Sequence, residues 1–338
     1  MKKLVIWIAA ALCVGMMFSC NGNGTNEEKV MAKKGSSGKT LEILLVADKN
    51  VFCNETKDLV DSVFKGLQPG MLMNTSRFDV VNIPYSSFEN TEMFQVHRNL
   101  LILKINPEGD NFARMTKDKW SAPQVVFELQ GKDRGALDSM LRQYAETMID
   151  EMYEADYRRV AKAYKGIEGT AIMDQLREKM NLEMIFSNEY QVATMTEDFG
   201  WIRKETKDFG MGVLVERFPY TSEKIFEPDQ LLNCIDTMMK RHVPGPAEGS
   251  YMGTERRFEA ASRHTEINGC YATEVRCMWR TFGDFMGGPM VGYAVLSEDQ
   301  KEVAVTVGYV YNPGDRKYSK RDLLMQVDGV CHTLKFNN

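Results

Sequence analysis

The chain has 338 residues, 43% of them hydrophobic and 26% charged, enough material for two domains or one large one with an ample core. A formal net charge of −5 argues against nucleic acid or an anionic lipid surface as the main partner. Beyond Cys13 and Cys20 come Cys53, Cys234, Cys270, Cys277 and Cys331, an odd set without a CxxC spacing. It signals neither a disulfide framework nor a zinc site, and buried thiols acting as small hydrophobes are expected.

In chain order, residues 1–19 read as a signal peptide. Lys2 and Lys3 form a positive start, Leu4 to Phe18 an uncharged apolar run, and Ser19 a small residue before Cys20. The run is shorter than the roughly 20 residues of a spanning helix, so export and cleavage are expected rather than a permanent transmembrane anchor. Met17-Phe18-Ser19-Cys20 resembles the lipobox of bacterial lipoproteins, departing from it at Met17 and at bulky Phe18. The resemblance implies that Cys20 is lipidated and becomes the mature N-terminus. Two acyl chains hold a protein stably on a bilayer, since each buried methylene adds about 0.8 kcal/mol. Residues 20–40 are polar and rich in Gly, Asn and Lys, and read as a flexible tether. Gly38-Lys39-Thr40 mimics the end of a phosphate-binding loop, but Lys33 stands where the first glycine is needed and no strand precedes it.

A first folded region spans 41–180. Apolar runs predict strands at Leu41–Ala47, Phe78–Ile83, Asn99–Ile105 and Gln124–Leu129, and helical spacing predicts a helix over Thr56–Leu67. One long helix is expected over 133–165, followed by a shorter one through Ile172, Leu176 and Met180. The second region, 181–338, turns to strands at Tyr190–Met195, Gly200–Glu205 and Met211–Phe218, with a helix at Phe226–Arg241 stopped by Pro244-Gly245-Pro246. Tyr271–Arg280 alternates, which predicts one core face carrying Val275 and Trp279 and one partly wet face carrying Glu274, Arg276 and Arg280. Met290–Leu296 and Glu302–Tyr311 read as a hairpin, and Tyr318–Leu334 as a closing helix. The class is α+β: mixed and antiparallel sheets covered by helices, both halves forming one unit.

The combination of Arg98-Asn99-Leu100-Leu101-Ile102, Trp120-Ser121-Ala122-Pro123-Gln124, Trp201-Ile202-Arg203, Gly249-Ser250-Tyr251-Met252, Phe285-Met286-Gly287-Gly288-Pro289, Tyr309-Val310-Tyr311-Asn312-Pro313 and Arg316-Lys317 resembles a family of lipid-anchored proteins of unknown function from Gram-negative envelopes. The likeness runs from about Leu41 to Phe336. It implies a cell-envelope protein held by its lipid, at the outer membrane, and it supplies no activity. The late order of strands and final helix is also similar to the sheet-and-helix layer of the photosystem extrinsic subunit fold, an analogy of fold without function.

Chemistry is thinly signalled. His97, His242, His264 and His332 show no paired ligand spacing and no HExxH, so neither a metal nor a cofactor is expected. The constellation that invites a ligand is Glu274, Arg276 and Arg280 with Trp201, Arg203 and Tyr251, because arginine beside aromatic faces suits carboxylate, phosphate or sugar groups. Alternating Glu and Arg on an exposed strand face is more usually the mark of a cross-strand ion pair. The Phe285–Pro289 turn reads as a structural corner more readily than as a ligand loop. Two functions follow: a non-enzymatic binding or scaffold lipoprotein that takes an envelope protein or small ligand, or an anchored hydrolase acting on envelope polysaccharide or peptide. Two carboxylates, or a Cys and a His, converging in a cleft would favour the hydrolase.

Overall fold

Continuous apolar runs build the first sheet of the computed structural model, which describes residues 33–71, 75–314 and 317–337. Cys20 and the expected signal peptide lie outside the described residues, of which Lys33 onward belong to one compact unit. In chain order come β1 (Glu42–Val46), α1 (Asn54–Phe64), β2 (Asp79–Ile83), α2 (Tyr85–Glu89), α3 (Glu92–Gln95), β3 (Asn99–Ile105), β4 (Phe112–Lys117) and β5 (Val125–Gly131). The strands are ordered β2-β1-β3-β5-β4, parallel except for the antiparallel edge β4. Interior β1 is apolar on both sides because both are covered. One face packs on α1 and two following helices, α4 (Arg134–Gln143) and α5 (Ala145–Lys165), through Ile43, Leu45, Val60, Phe64, Leu137 and Met148. The other face packs Leu44, Leu100 and Ile102 on Phe88, Phe94 and Trp120.

Two expectations change here. The helix predicted over 133–165 is two helices, broken at Tyr144, whose backbone (φ −102, ψ 7) leaves the helical region. The apolar period runs through Tyr144, so spacing concealed a break that lets α4 lie on the first sheet while α5 runs on toward the second half. The end of the expected tether is also seated. Ser37 exchanges backbone hydrogen bonds with the β3 approach, its N–H donating to Val96 and its carbonyl accepting from Arg98, both at 2.9 Å. Beside it Gly38 (φ +98) lies against the His97 ring where no side chain would fit.

The second half continues with α6 (Thr170–Met180), β6 (Leu182–Glu183), β7 (Gln191–Met195), β8 (Phe199–Glu205), β9 (Gly210–Pro219), α7 (Pro228–His242), β10 (Tyr251–Thr254), β11 (Ala261–Ile267), β12 (Cys270–Phe282), β13 (Gly287–Leu296), β14 (Glu302–Tyr311), α8 (Lys320–Cys331) and β15 (Lys335–Phe336). An eight-stranded antiparallel sheet runs β10-β12-β13-β14-β9-β8-β7, with β11 also on β12, while β6 and β15 pair separately. On one face α7 packs Leu231, Ile235 and Met238 against Val275, Val305 and Val307. On the other, α6 and α8 pack Leu176, Leu324, Val327 and Val330 against Val213, Val291 and Tyr293. From α8, Met325 enters the core of the first half, so one helix serves both sheets. The fold is α+β, a mixed sheet and an antiparallel meander joined through helices.

Candidate functional site

Two places on the eight-stranded sheet gather chemistry, one on each face. The six residues singled out in the sequence divide among these two and the sheet edge.

On the α8 face, Glu274 and Arg276 are buried, which corrects the wet face expected of them. Both faces of β12 are covered at this point, and the pair is 4% and 5% exposed. Arg276 donates from Nε to Glu274 Oε1 (2.8 Å) and from Nη2 to Asp328 Oδ2 (2.6 Å). Asp328, from α8, also accepts from the hydroxyls of Tyr157 (3.0 Å) and Tyr293 (2.5 Å). Arg263 brings a second guanidinium to Glu274 (3.2 Å) and reaches Asp150 on α5. Burial alone would raise the Glu274 carboxyl, but Arg276 and Arg263 outweigh it and hold it below the ordinary carboxylate range. His332 stacks on Tyr157 at 3.8 Å, with Nε2 3.1 Å from the Tyr293 hydroxyl. Burial pushes its imidazole down to about 4, against the pull of Asp328 and Glu274. The charges here are matched to one another, and the arrangement fastens α5, α8, β12 and β13 together, while Arg263 and Asp150 open onto a small surface pocket of about 130 Å³ that Glu146 and Arg77 also line.

Tyr251 and Arg280 sit at the sheet edge. Tyr251 stacks on Phe282 at 5.1 Å, and Arg280 lies over the same Phe282 ring and 3.5 Å from Glu255.

On the opposite face, beyond the C-terminus of α7, an open cleft of about 520 Å³ contains Trp201 and Arg203. Its volume falls within the roughly 300–1,000 Å³ usual for small-molecule sites. Alternation along β8 aims Trp201, Arg203 and Glu205 into it, and alternation along β14 aims Tyr309 and Tyr311. Trp279 of β12 forms the far wall, and the Val243–Pro246 turn and Met286 form the rim. Register explains the floor: Arg203 pairs with Gly212, which pairs with Tyr309, and Glu205 pairs with Gly210, which pairs with Tyr311. A Cβ at Gly212 would come 2.7 Å from the Tyr309 ring, so the glycine is what lets that ring lie across β9. Tyr309 then accepts the Trp201 indole N–H at 2.9 Å, and its buried hydroxyl is pushed up to about 12. The Trp279 indole N–H donates to the Val310 carbonyl at 3.0 Å, across a gap that only Gly288 leaves open. Gly287-Gly288-Pro289 thus belongs to strand β13 and has a structural purpose, while neighbouring Met286 lines the cleft.

Both indoles are therefore held by their polar edges: Trp279 is buried against Tyr309 and Tyr311, and Trp201 is half-buried at the cleft wall. Arg203 lies 5.2 Å over the Trp201 ring. Sequence reasoning found these two and missed Glu205, Trp279, Tyr309 and Tyr311. The period-two pattern of Trp201-x-Arg203-x-Glu205 and Tyr309-x-Tyr311 carried the signal, but only the strand order brings the sets together.

The cleft lining includes one carboxylate, Glu205, and neither a cysteine nor a histidine. The five described cysteines are free thiols, and burial pushes those of Cys277 and Cys331 up to about 12, far from the reactive thiolate. Among the described residues no cluster of three or more His, Cys, Asp or Glu is placed to hold a metal ion, and no helix is long and apolar enough to cross a membrane.

Comparison with known proteins assigns both halves and names no activity. Residues 36–165 match a domain of unknown function (DUF8532), and residues 169–333 match a second domain of unknown function (DUF4837). No curated protein matches the chain. Among solved structures, the E. coli PaaI protein from the phenylacetic acid degradation operon is similar at 14% identity over 37% of this chain and 80% of that one. Its TM-score of 0.15 carries no argument.

Proposed function

We propose that this chain, made of DUF8532 and DUF4837 domains, is a lipid-anchored protein of the bacterial cell envelope that captures a small ring-bearing ligand without transforming it. The observation that carries the reading is the aromatic cleft, where two tryptophans with satisfied N–H groups and two tyrosines flank an open space of about 520 Å³. Flat apolar faces fixed in advance bind a planar guest with little ordering cost. A glycoside hydrolase generally needs two carboxyl groups about the scissile bond, and this cleft brings one. At this cleft binding is thus favoured over the hydrolase alternative. Lipidation at Cys20 would place the cleft beside the outer membrane, with the lipid as the protein's contact to the bilayer.

The test is titration with the uncharged fluorescent dye phenylnaphthylamine. One saturable site per chain is expected, with tryptophan emission quenched as the dye brightens. Tyr311→Ala, which strips one wall, should weaken it roughly tenfold, the loss of about one well-packed aromatic contact. Absence of saturable binding, or indifference to Tyr311→Ala, defeats the reading of the cleft. Labelling cells with radioactive fatty acid, with Cys20→Ala as the control that must lose the label, checks the anchor separately.

A further inference from the structure

On β8 the charged residues facing the two sides of the sheet are treated differently. Lys204 points away from the cleft and is paired with Glu189 at 2.7 Å. Arg203 and Glu205 point into it, and among the described residues neither side chain forms a hydrogen bond or an ion pair, even with the other. Two strand residues on one face start about 6.7 Å apart, a distance that long side chains of opposite charge close easily. Here each is held elsewhere. Arg203 lies near the Trp201 ring, its Cζ 5.2 Å from the ring centroid, and its N–H fork takes no side-chain partner among the described residues, which leaves it free for a carboxylate. Glu205 folds back over Gly210, where a Cβ would come 2.6 Å from its Oε2, so the glycine reserves the place of the carboxylate.

A purely anionic guest would meet Glu205, and a purely cationic one would meet Arg203. A head that carries both charges on adjacent atoms satisfies both, inserting between them where they have failed to meet. Resting on the reading of this cleft as the binding site, we infer that its ligand is a zwitterion of the amino-acid type: an amino acid or short peptide end with a ring side chain. The carboxylate lies on the Arg203 fork and the ammonium on Glu205, with the ring between Trp279, Tyr309 and Tyr311. Burial raises the Glu205 carboxyl while nearby Arg203 lowers it, and an arriving ammonium would further favour the charged form.

The experiment is calorimetric titration of the full chain with four probes: L-phenylalanine, N-acetyl-L-phenylalanine, L-phenylalaninamide and the doubly capped N-acetyl-L-phenylalaninamide. L-phenylalanine should bind at least about tenfold more tightly than either singly capped form, as expected for loss of one charge-assisted hydrogen-bonded contact. Arg203→Gln should bring L-phenylalanine to the affinity of the amide without changing the amide, and Glu205→Gln should bring it to that of the N-acetyl acid. If the doubly capped probe binds as well as L-phenylalanine, or if none of the four binds while the dye still does, the zwitterion is overturned and the cleft stands. If the dye fails as well, both fall.

Discussion

On the side of the eight-stranded sheet that faces α8, Glu274, Arg276 and Asp328 are buried and bonded to one another, with Arg263 closing the set. On the side that α7 covers only in part, Arg203 and Glu205 stand in an open cleft without partners among the described residues. The residue types are the same and their physical situations are opposite. A charge removed from water must be matched within the protein or it destabilises the fold, so the α8 side is committed to architecture. Exposed charge at the wall of an aromatic cleft keeps part of its hydration, costs the fold little, and under the proposed reading remains available to a guest. The comparison teaches that Arg and Glu near aromatic rings are available to a ligand only where they are unspent.

The largest expected effect comes from breaking the committed side. Arg276→Ala leaves Glu274 and Asp328 buried without their shared cation and should cost about 3–5 kcal/mol in denaturant unfolding. A loss below about 1 kcal/mol, the level of a surface pair, would mean that water reaches these groups and that the contrast between the faces is false.

Acid should act on the same place. His332 is neutral in the folded protein because burial lowers it from 6.5 to about 4. Between those values the unfolded chain binds the extra proton, so this contribution is fully present above pH 6.5 and is lost as pH falls toward 4. The shift corresponds to about 3 kcal/mol over that window. Glu154, 3.6 Å from His332 Nδ1, works against it. Its carboxyl is raised from 4.5 to about 7 by burial and by Asp328, so its stabilisation is present below 4.5 and fades as pH rises through 7. Its side chain is half exposed, so screening makes its share the smaller one. The clean readout is the difference between wild type and His332→Gln: the variant's unfolding free energy should depend less on pH between 6.5 and 4. Parallel curves would show that His332 titrates freely in the fold.

The smallest effect belongs to the cleft. Arg203→Gln should change stability by less than about 0.5 kcal/mol, as surface substitutions without buried partners do. Thermal unfolding checks it, and a larger loss would assign Arg203 to the framework and remove the distinction between the two faces.

Much of the framework was readable along the chain. The apolar runs of β1, β3 and β5, the hairpin of β13 and β14, and the stripes of α1, α7 and α8 declare themselves because each buries a continuous face whose period is local. Strands β4 and β11 did not, being edge strands with polar residues such as Arg114, Ser262 and Arg263 on exposed sides, and β10 spans only Tyr251–Thr254, too short for a period to show. The break at Tyr144 was hidden by an apolar period that continues across it. Glu274 and Arg276 looked wet because alternation reports one covered face and cannot show that helices cover both.

By itself the sequence determined the class of fold, the positions of its main strands and helices, and the presence of arginines near aromatic residues. Only the tertiary structure decided which of those arginines is spent. Arg276 meets Asp328 across 52 residues of chain and Tyr157 across 119, while Arg203 meets only the neighbouring Trp201 ring. Whether a charge is matched depends on strand order and on the helices laid over each face, and those long-range arrangements leave no period in the sequence to read.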